Sequence, residues 1–411
     1  MRNIIPRPRR ALKILLFALI LALVPPASRA RADSGAGPYV ITFGTMSPAN
    51  SVWSEMADKL ITPFFNEMFG RRMKLITYFG GTQGDDDGIV DKIRAGKLDG
   101  CFCTNQGTVK AVPEMSVLSL PTLFRNYDEV DFIQGKLRRY IESAYEKQDL
   151  VLLFLIDTGF LYFFSVRDPS SLNSIRQDKI FSWFGEIQEK SFLALGLDSF
   201  PVPVPELADS IVTGKTNAGA GPAPWLLATQ TNTYVHYYLD FPWFYGVSTG
   251  FLEKKALDRI IESLKRNPRE FELLKKQFEK FQGEVTEESI FAKLGLKEKH
   301  LLGAARKLVT WSKSLKLESP DDLPGILVGI FRVPEKDWSQ SIREFETQCL
   351  DGFEKRGMKK VRLAESDRAR LFLTTARVWE EFADRLYPAA LLSGITDRLT
   401  QFRAGQNESL E

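Results

Sequence analysis

The residue types that most often do chemistry are few in this chain and poorly spaced for it. Only two histidines, His236 and His300, occur in 411 residues. Neither belongs to a cluster with metal-ligand spacing, so no metal and no cofactor is expected. His236 stands in Tyr234-Val235-His236-Tyr237-Tyr238, a packed aromatic stretch and not the setting of a general base. The adjacent acids Glu380 and Glu381 point in different directions on a helix and belong to a solvated face. No His-Glu-x-x-His occurs, which removes the common zinc-hydrolase signature. Of the three cysteines, Cys101 and Cys103 are two apart in an apolar stretch. On a strand they share one face, and we read them as two small buried residues badly placed to bond each other. The chemistry left open is binding, not catalysis.

The first 32 residues set the compartment. Arg2, Arg7, Arg9 and Arg10 precede an apolar run from Ala11 to Val24, Pro25 and Pro26 break it, and Ala30-Arg31-Ala32 supplies small residues for cleavage. That is the pattern of a secretory signal peptide, and the run is shorter than the ~20 apolar residues of a membrane span. Seven of the 55 basic side chains lie there with no acid, leaving 48 against 52 acids, a net charge of −4 instead of +3. Nucleic acid is therefore not implied as a partner. About 380 residues remain, enough for two domains.

Strand and helix signals alternate in the first half. Tyr39–Thr45, Met73–Phe79 and Leu98–Cys103 read as strands, separated by helices over Val52–Phe69 and from Asp85 to Gly96, an order that implies a parallel sheet covered on both faces. Leu150–Ile156 reads as a further buried strand, and Leu161–Val166 and Lys179–Trp183 as strands of a second sheet. Glu186–Leu195 and Leu207–Thr213 read as helices. From about Ala256 long charged amphipathic helices take over, with Pro324–Phe331 as an apolar, glycine-containing break.

Several strings then resemble one family. Thr82-Gln83-Gly84-Asp85-Asp86 with Gly96-Lys97-Leu98-Asp99-Gly100, Leu118-Ser119-Leu120-Pro121-Thr122-Leu123-Phe124, Gly159-Phe160, and Leu195-Gly196 with Pro203, Glu206 and Gly214 follow the order and spacing of the solute-binding proteins of tripartite ATP-independent periplasmic (TRAP) transporters. The resemblance runs from about Tyr39 to Leu257 and resumes near Arg343. It implies an α/β, two-lobed periplasmic binding protein-like fold with a ligand cleft between the lobes and a helical C-terminal third. Lobe 1 would span 33–158, with about 247–261 returning to it, and lobe 2 would span 159–246. Residues 262–335 would be a helical insertion outside the cleft, removable without unfolding the body, and 336–411 C-terminal helices packing on the lobes.

Members of that family hold a small carboxylate with one arginine in a "GxR" segment, a second in a "KIR" strand and an asparagine in "ENP". The matching positions here are Leu161, Phe181 and Gly221, and two further polar positions fall on Met46 and Thr104. A buried carboxylate without a paired cation loses several kcal/mol of solvation, so the loss of all three groups points to a different ligand. Phe160, Leu161, Phe181, Trp183, Val204 and Trp225 are the expected apolar lining. The resulting expectation is a periplasmic, non-enzymatic binding protein. It would carry an apolar or amphipathic ligand, such as a lipid, to the membrane permease subunits of a TRAP-type transporter. The alternatives are a periplasmic lipid carrier or sensor without a permease, or a binder of a small organic acid using a different cation. N-terminal sequencing of the exported protein should give a start near Asp33; an intact leader on that form would refute the signal-peptide assignment.

Overall fold

The computed structural model describes residues 38–203 and 206–408. The signal-peptide assignment (1–32) and Val204 lie outside the described residues. The chain begins with β1 (Tyr39–Thr45), α1 (Thr62–Phe69), β2 (Met73–Tyr78), α2 (Asp86–Arg94), β3 (Gly100–Cys103) and α3 (Asn105–Ala111). The expected helix over 52–69 is interrupted for a physical reason. Pro63 has no N–H and its ring crowds the carbonyl four residues back. The ladder widens into a π turn over Met56–Ile61, and the Thr62 N–H reaches back to the Ala57 carbonyl.

The long α4 (Tyr127–Glu146) then leads into β4 (Leu150–Ser165). Here the sequence reading needs correction: the two runs at 150–156 and 161–166 are one 16-residue strand, and the described residues hold a single sheet. After α5 (Leu172–Ile175) come β5 (Ile180–Ser182), α6 (Glu186–Ala194), β6 (Ser199–Pro201), α7 (Leu207–Val212), β7 (Ala218–Pro222), α8 (Ala223–Ala228) and β8 (Tyr237–Glu253). All the strands form one sheet of order β2-β1-β3-β8-β4-β7-β5-β6, with the later β9 (Lys359–Val361) on β8. The parallel pairs β1–β2 and β1–β3 and the parallel group β6–β5–β7 lie on either side of the antiparallel pair β4–β8. Those two strands run through both halves, and their pairing slips between Asp157 and Gly159.

Cys101 and Cys103 are also corrected: they form a disulfide on β3. A fully extended strand would hold alternate residues ~7 Å apart. Here the Cα atoms are only 5.5 Å apart, within reach of a bridge.

The remaining helices are α9 (Lys254–Arg266), α10 (Pro268–Glu284), α11 (Glu287–Leu294), α12 (Lys299–Lys313), α13 (Leu323–Arg332), α14 (Glu335–Lys355), α15 (Glu365–Phe382) and α16 (Ala389–Glu408). The stretch read as an apolar break is α13. Its Ile326, Leu327, Ile330 and Phe331 are buried at helical spacing. Phe331 meets Phe43, Phe102 and Phe154 of β1, β3 and β4 at ring distances of 5.6–6.0 Å. On α10, Phe281 and Phe278 meet Phe64 and Phe69 of α1. These helices close the core over the first half of the sheet, so the expectation that the segment can be removed without unfolding the body conflicts with what it covers.

Two glycines of α13 test this packing. A Cβ at Gly329 would collide with the Trp311 ring, whereas one at Gly325 would meet nothing within 4 Å. Chemical denaturation should show Gly329→Ala destabilised by about 1–3 kcal/mol. Gly325→Ala should be unchanged or stabilised by up to about 1 kcal/mol. Equal effects at both sites would contradict the placement of α13.

Candidate functional site

In α/β sheets, ligands collect outside the carboxyl ends of the strands. The carboxyl ends of β1 and β3 are Thr45 and Cys103, followed directly by Met46 and Thr104. Those of β5 and β7 are Ser182 and Pro222, followed by Trp183 and by α8, which carries Trp225. Along β4, Leu155 is level with Thr249, which pairs with Cys103, and Leu161 pairs with Pro222. The Ile156–Leu161 crossover is therefore at the height where both groups of strand ends face each other.

Within this zone the expected residues separate. Phe181, Trp183, Gly221 and Trp225 come together on the second half of the sheet. The Phe181 ring lies on Gly219 and is 6.3 Å from the Trp225 ring. Trp183 is fixed by its indole N–H to the Ala220 carbonyl (2.8 Å) and by its backbone N–H to Gln188 Oε1 (2.9 Å). Phe181 and Gly221 are buried, while Trp183 and Trp225 stay half-exposed. Leu161 does not join this wall. Phe164, Gly219 and Phe181 share one row across the sheet, and Leu161, three residues from Phe164, alternates to the opposite face. There it is buried with Phe163, Trp243 and Phe244. Phe160 packs toward α4, against Tyr127 (4.6 Å) and Tyr245 (5.5 Å). On the first half of the sheet, half-buried Met46 lies against Gly81, and the Thr104 hydroxyl donates to Asp86. Burial pushes the Asp86 carboxyl up to about 6, against the hydrogen bonds from Thr104.

The cations closest in sequence are committed elsewhere. Arg167 pairs with buried Asp178, Arg176 donates to Asn173 and to the Leu195 carbonyl, and Lys179 is exposed at the opposite, amino end of β5. Two cavities, of about 390 and 160 Å³, are lined by none of the expected site residues.

The polar groups that hold the crossover were missed by the sequence reading. Asp157 is buried in β4; it accepts from Arg343 Nε (2.7 Å) on α14 and from the Tyr245 hydroxyl (2.6 Å) on β8. Arg343 also binds Asp131 on α4 (2.6 Å) and lies over the Tyr127 ring. One turn on, the fully buried Glu346 accepts from the Phe160 N–H (2.9 Å) and the Tyr127 hydroxyl (3.0 Å). Its oxygen occupies the space a Cβ at Gly159 would need, and Gly159 has φ +117°, so both space and backbone require glycine there. Two signals were legible: a lone acid in the apolar run 150–165, and a glutamate within the buried stripe Trp338, Ile342, Glu346, Cys349 and Phe353.

Burial raises the Glu346 carboxyl from its ordinary 4.5 to about 8, more than the Tyr127 and Phe160 hydrogen bonds lower it. The folded chain thus holds a proton that the unfolded chain releases above its ordinary value. The associated stability is complete below about pH 4.5 and is lost as pH rises to about 8. Glu346→Gln keeps the neutral shape without the proton. Its unfolding free energy relative to the wild type should rise between pH 5 and 8; a constant difference across that range would contradict a protonated Glu346.

A sequence model of the family described as bacterial extracellular solute-binding protein, family 7, matches residues 43–266. Among solved structures, a TRAP periplasmic solute-binding protein from Ochrobactrum anthropi, with its C-terminus bound in the ligand-binding pocket, is 15% identical. It aligns over 91% of this chain and 98% of that one, with a TM-score of 0.63. A sugar acid binding protein from Advenella mimigardefordensis in complex with galactonate is 15% identical over 89% and 99%, TM-score 0.62. A Haemophilus influenzae TRAP protein with bound L-gulonate is 10% identical over 88% and 99%, TM-score 0.65. The fold is therefore the two-lobed fold of periplasmic binding proteins. The chain belongs to family 7 of the bacterial extracellular solute-binding proteins, the periplasmic binding proteins of TRAP transport, and is not an enzyme.

Proposed function

We propose that this protein captures an apolar or amphipathic small molecule at the strand ends and delivers it to the membrane permease subunits of a TRAP-type transporter. The observation that carries this reading is the chemistry at the positions matching the family's carboxylate contacts. Phe181 and Gly221 are buried in an aromatic wall with Trp183 and Trp225, and Leu161 is buried in the core behind it. A carboxylate in such surroundings needs a cation with a matching donor fork, and Arg167 and Arg176 are already engaged. An apolar ligand needs none, since buried apolar surface contributes roughly 25 cal/mol per Å².

A second reading, a small organic acid held by another cation, draws on the related structures, which contain galactonate, L-gulonate and, in a Polaromonas protein 14% identical to this chain, D-erythronate. Those proteins share the fold at 10–15% identity, a level at which ligand contacts need not be kept.

Mass spectrometry of organic extracts from the purified protein should release a lipid-like or aromatic compound. Calorimetry with that compound should show Phe181→Ala weakening binding by roughly 1–3 kcal/mol. Sugar acids and dicarboxylates should give little heat. Micromolar or tighter binding of a sugar acid that ignores Phe181→Ala would overturn the proposal in favour of the second reading.

A further inference from the structure

The larger cavity, about 390 Å³, lies away from the aromatic wall, where the 121–125 segment meets β8 and α15. Its size is that of a small-molecule site. Phe241, Pro242 and Phe372 give it an apolar side, and Arg125 and Arg368 line it as cations. Arg368 stands over two rings, 5.1 Å from the centroid of Phe241 and 5.8 Å from that of Phe372. A guanidinium stacked on aromatic rings is held in orientation while its N–H donors at the edge stay available. Neither Arg125 nor Arg368 has a salt-bridge partner among the described residues, whereas Arg385 pairs with Glu186 and Arg403 with Glu129.

The cavity wall also contains a strained residue. Thr122 is β-branched yet has φ +60°. It is pinned there by its N–H to the Trp243 carbonyl (2.7 Å) and its hydroxyl to Thr375 (3.1 Å). Strained backbone of this kind persists where the surroundings enforce it, commonly at ligand sites.

We propose that this cavity is a second small-molecule site, specific for a monocarboxylate with a compact apolar body. The carboxylate pairs with Arg368 and Arg125, and the body rests on Phe241, Pro242 and Phe372. Glu365 lines the same cavity, so a second carboxylate on the ligand meets a like charge and dicarboxylates are disfavoured. The proposal does not depend on the identity of the ligand at the aromatic wall.

Phenylacetate is the probe, titrated by calorimetry and ligand-observed NMR into the full exported protein, with phenylacetamide and phenylmalonate as controls. Phenylacetate should bind at least about tenfold more tightly than either control. The double variant Arg125→Gln/Arg368→Gln should lose that binding with an unchanged thermal midpoint. Should the double variant be unstable, Ala369→Phe, on the exposed side of α15 and lining the cavity, fills the space without touching the charges and should also abolish binding. No phenylacetate binding at about 10 mM would overturn the proposal. Equal binding of the amide, or binding that survives both the arginine changes and Ala369→Phe, would overturn it as well.

Discussion

Asp157 is a carboxylate in the middle of a strand whose neighbours are almost all apolar, and the two halves of the sheet meet where it stands. Burial works against its charge and raises its pKa, with Arg343 and Tyr245 opposing that shift. Because the partners come from different elements, satisfying this one charge fixes the positions of β4, β8 and α14 together, and Arg343 extends the tie to Asp131 on α4. A buried pair of this kind adds little over an apolar core, but losing one partner costs about 3–5 kcal/mol because the other charge is left stranded. Its contribution is better described as specificity: an alternative register of β4 would carry Asp157 out of reach of Arg343.

Glu346 completes this arrangement in a different protonation state. One turn along α14 from Arg343, it meets the backbone at the glycine where the β4–β8 pairing slips. A side chain at Gly159 would displace the carboxyl, and a charged carboxyl there would lack the cation that Asp157 has. Two acids therefore stand at one crossover, one paired with an arginine and the other held neutral by burial. The polar contacts cluster along a few residues of β4 while apolar packing continues on both sides.

Much of the fold was legible because its signals are local. The alternation of strands and helices through Cys103, the glycine stops and the motif order gave the family and most element boundaries. What was not legible depended on contacts far apart in sequence. The joining of 150–156 and 161–166 into one strand follows from pairing with β8, about 90 residues away in the register Asp157–Val247. Helix α13 looked like a break because Pro324, Gly325 and Gly329 are poor helix residues. Its packing against Trp311 and the strand phenylalanines overrides that propensity. For the proposed site, the residue types at Leu161, Phe181 and Gly221 are in the sequence, whereas the side of the sheet each residue faces was not legible there. Side-chain parity around a bulge is set by register, and a one-residue slip moves a side chain to the other face.

That parity sharpens the argument about ligand chemistry. If Leu161 and Phe181 lined one wall, restoring a single arginine at either position would address the same ligand. They face opposite ways, so an arginine at Leu161 would enter the core beside Phe163, Trp243 and Phe244, and its cost would fall on the fold. An arginine at Phe181 would instead have to stand over Gly219, next to Trp225, where one edge is close to solvent because Trp183 and Trp225 are only half-buried. The two losses are therefore physically unequal. The leucine is demanded by packing, while the phenylalanine, buried beside the half-exposed Trp183 and Trp225, is the position on which the proposed apolar ligand would rest.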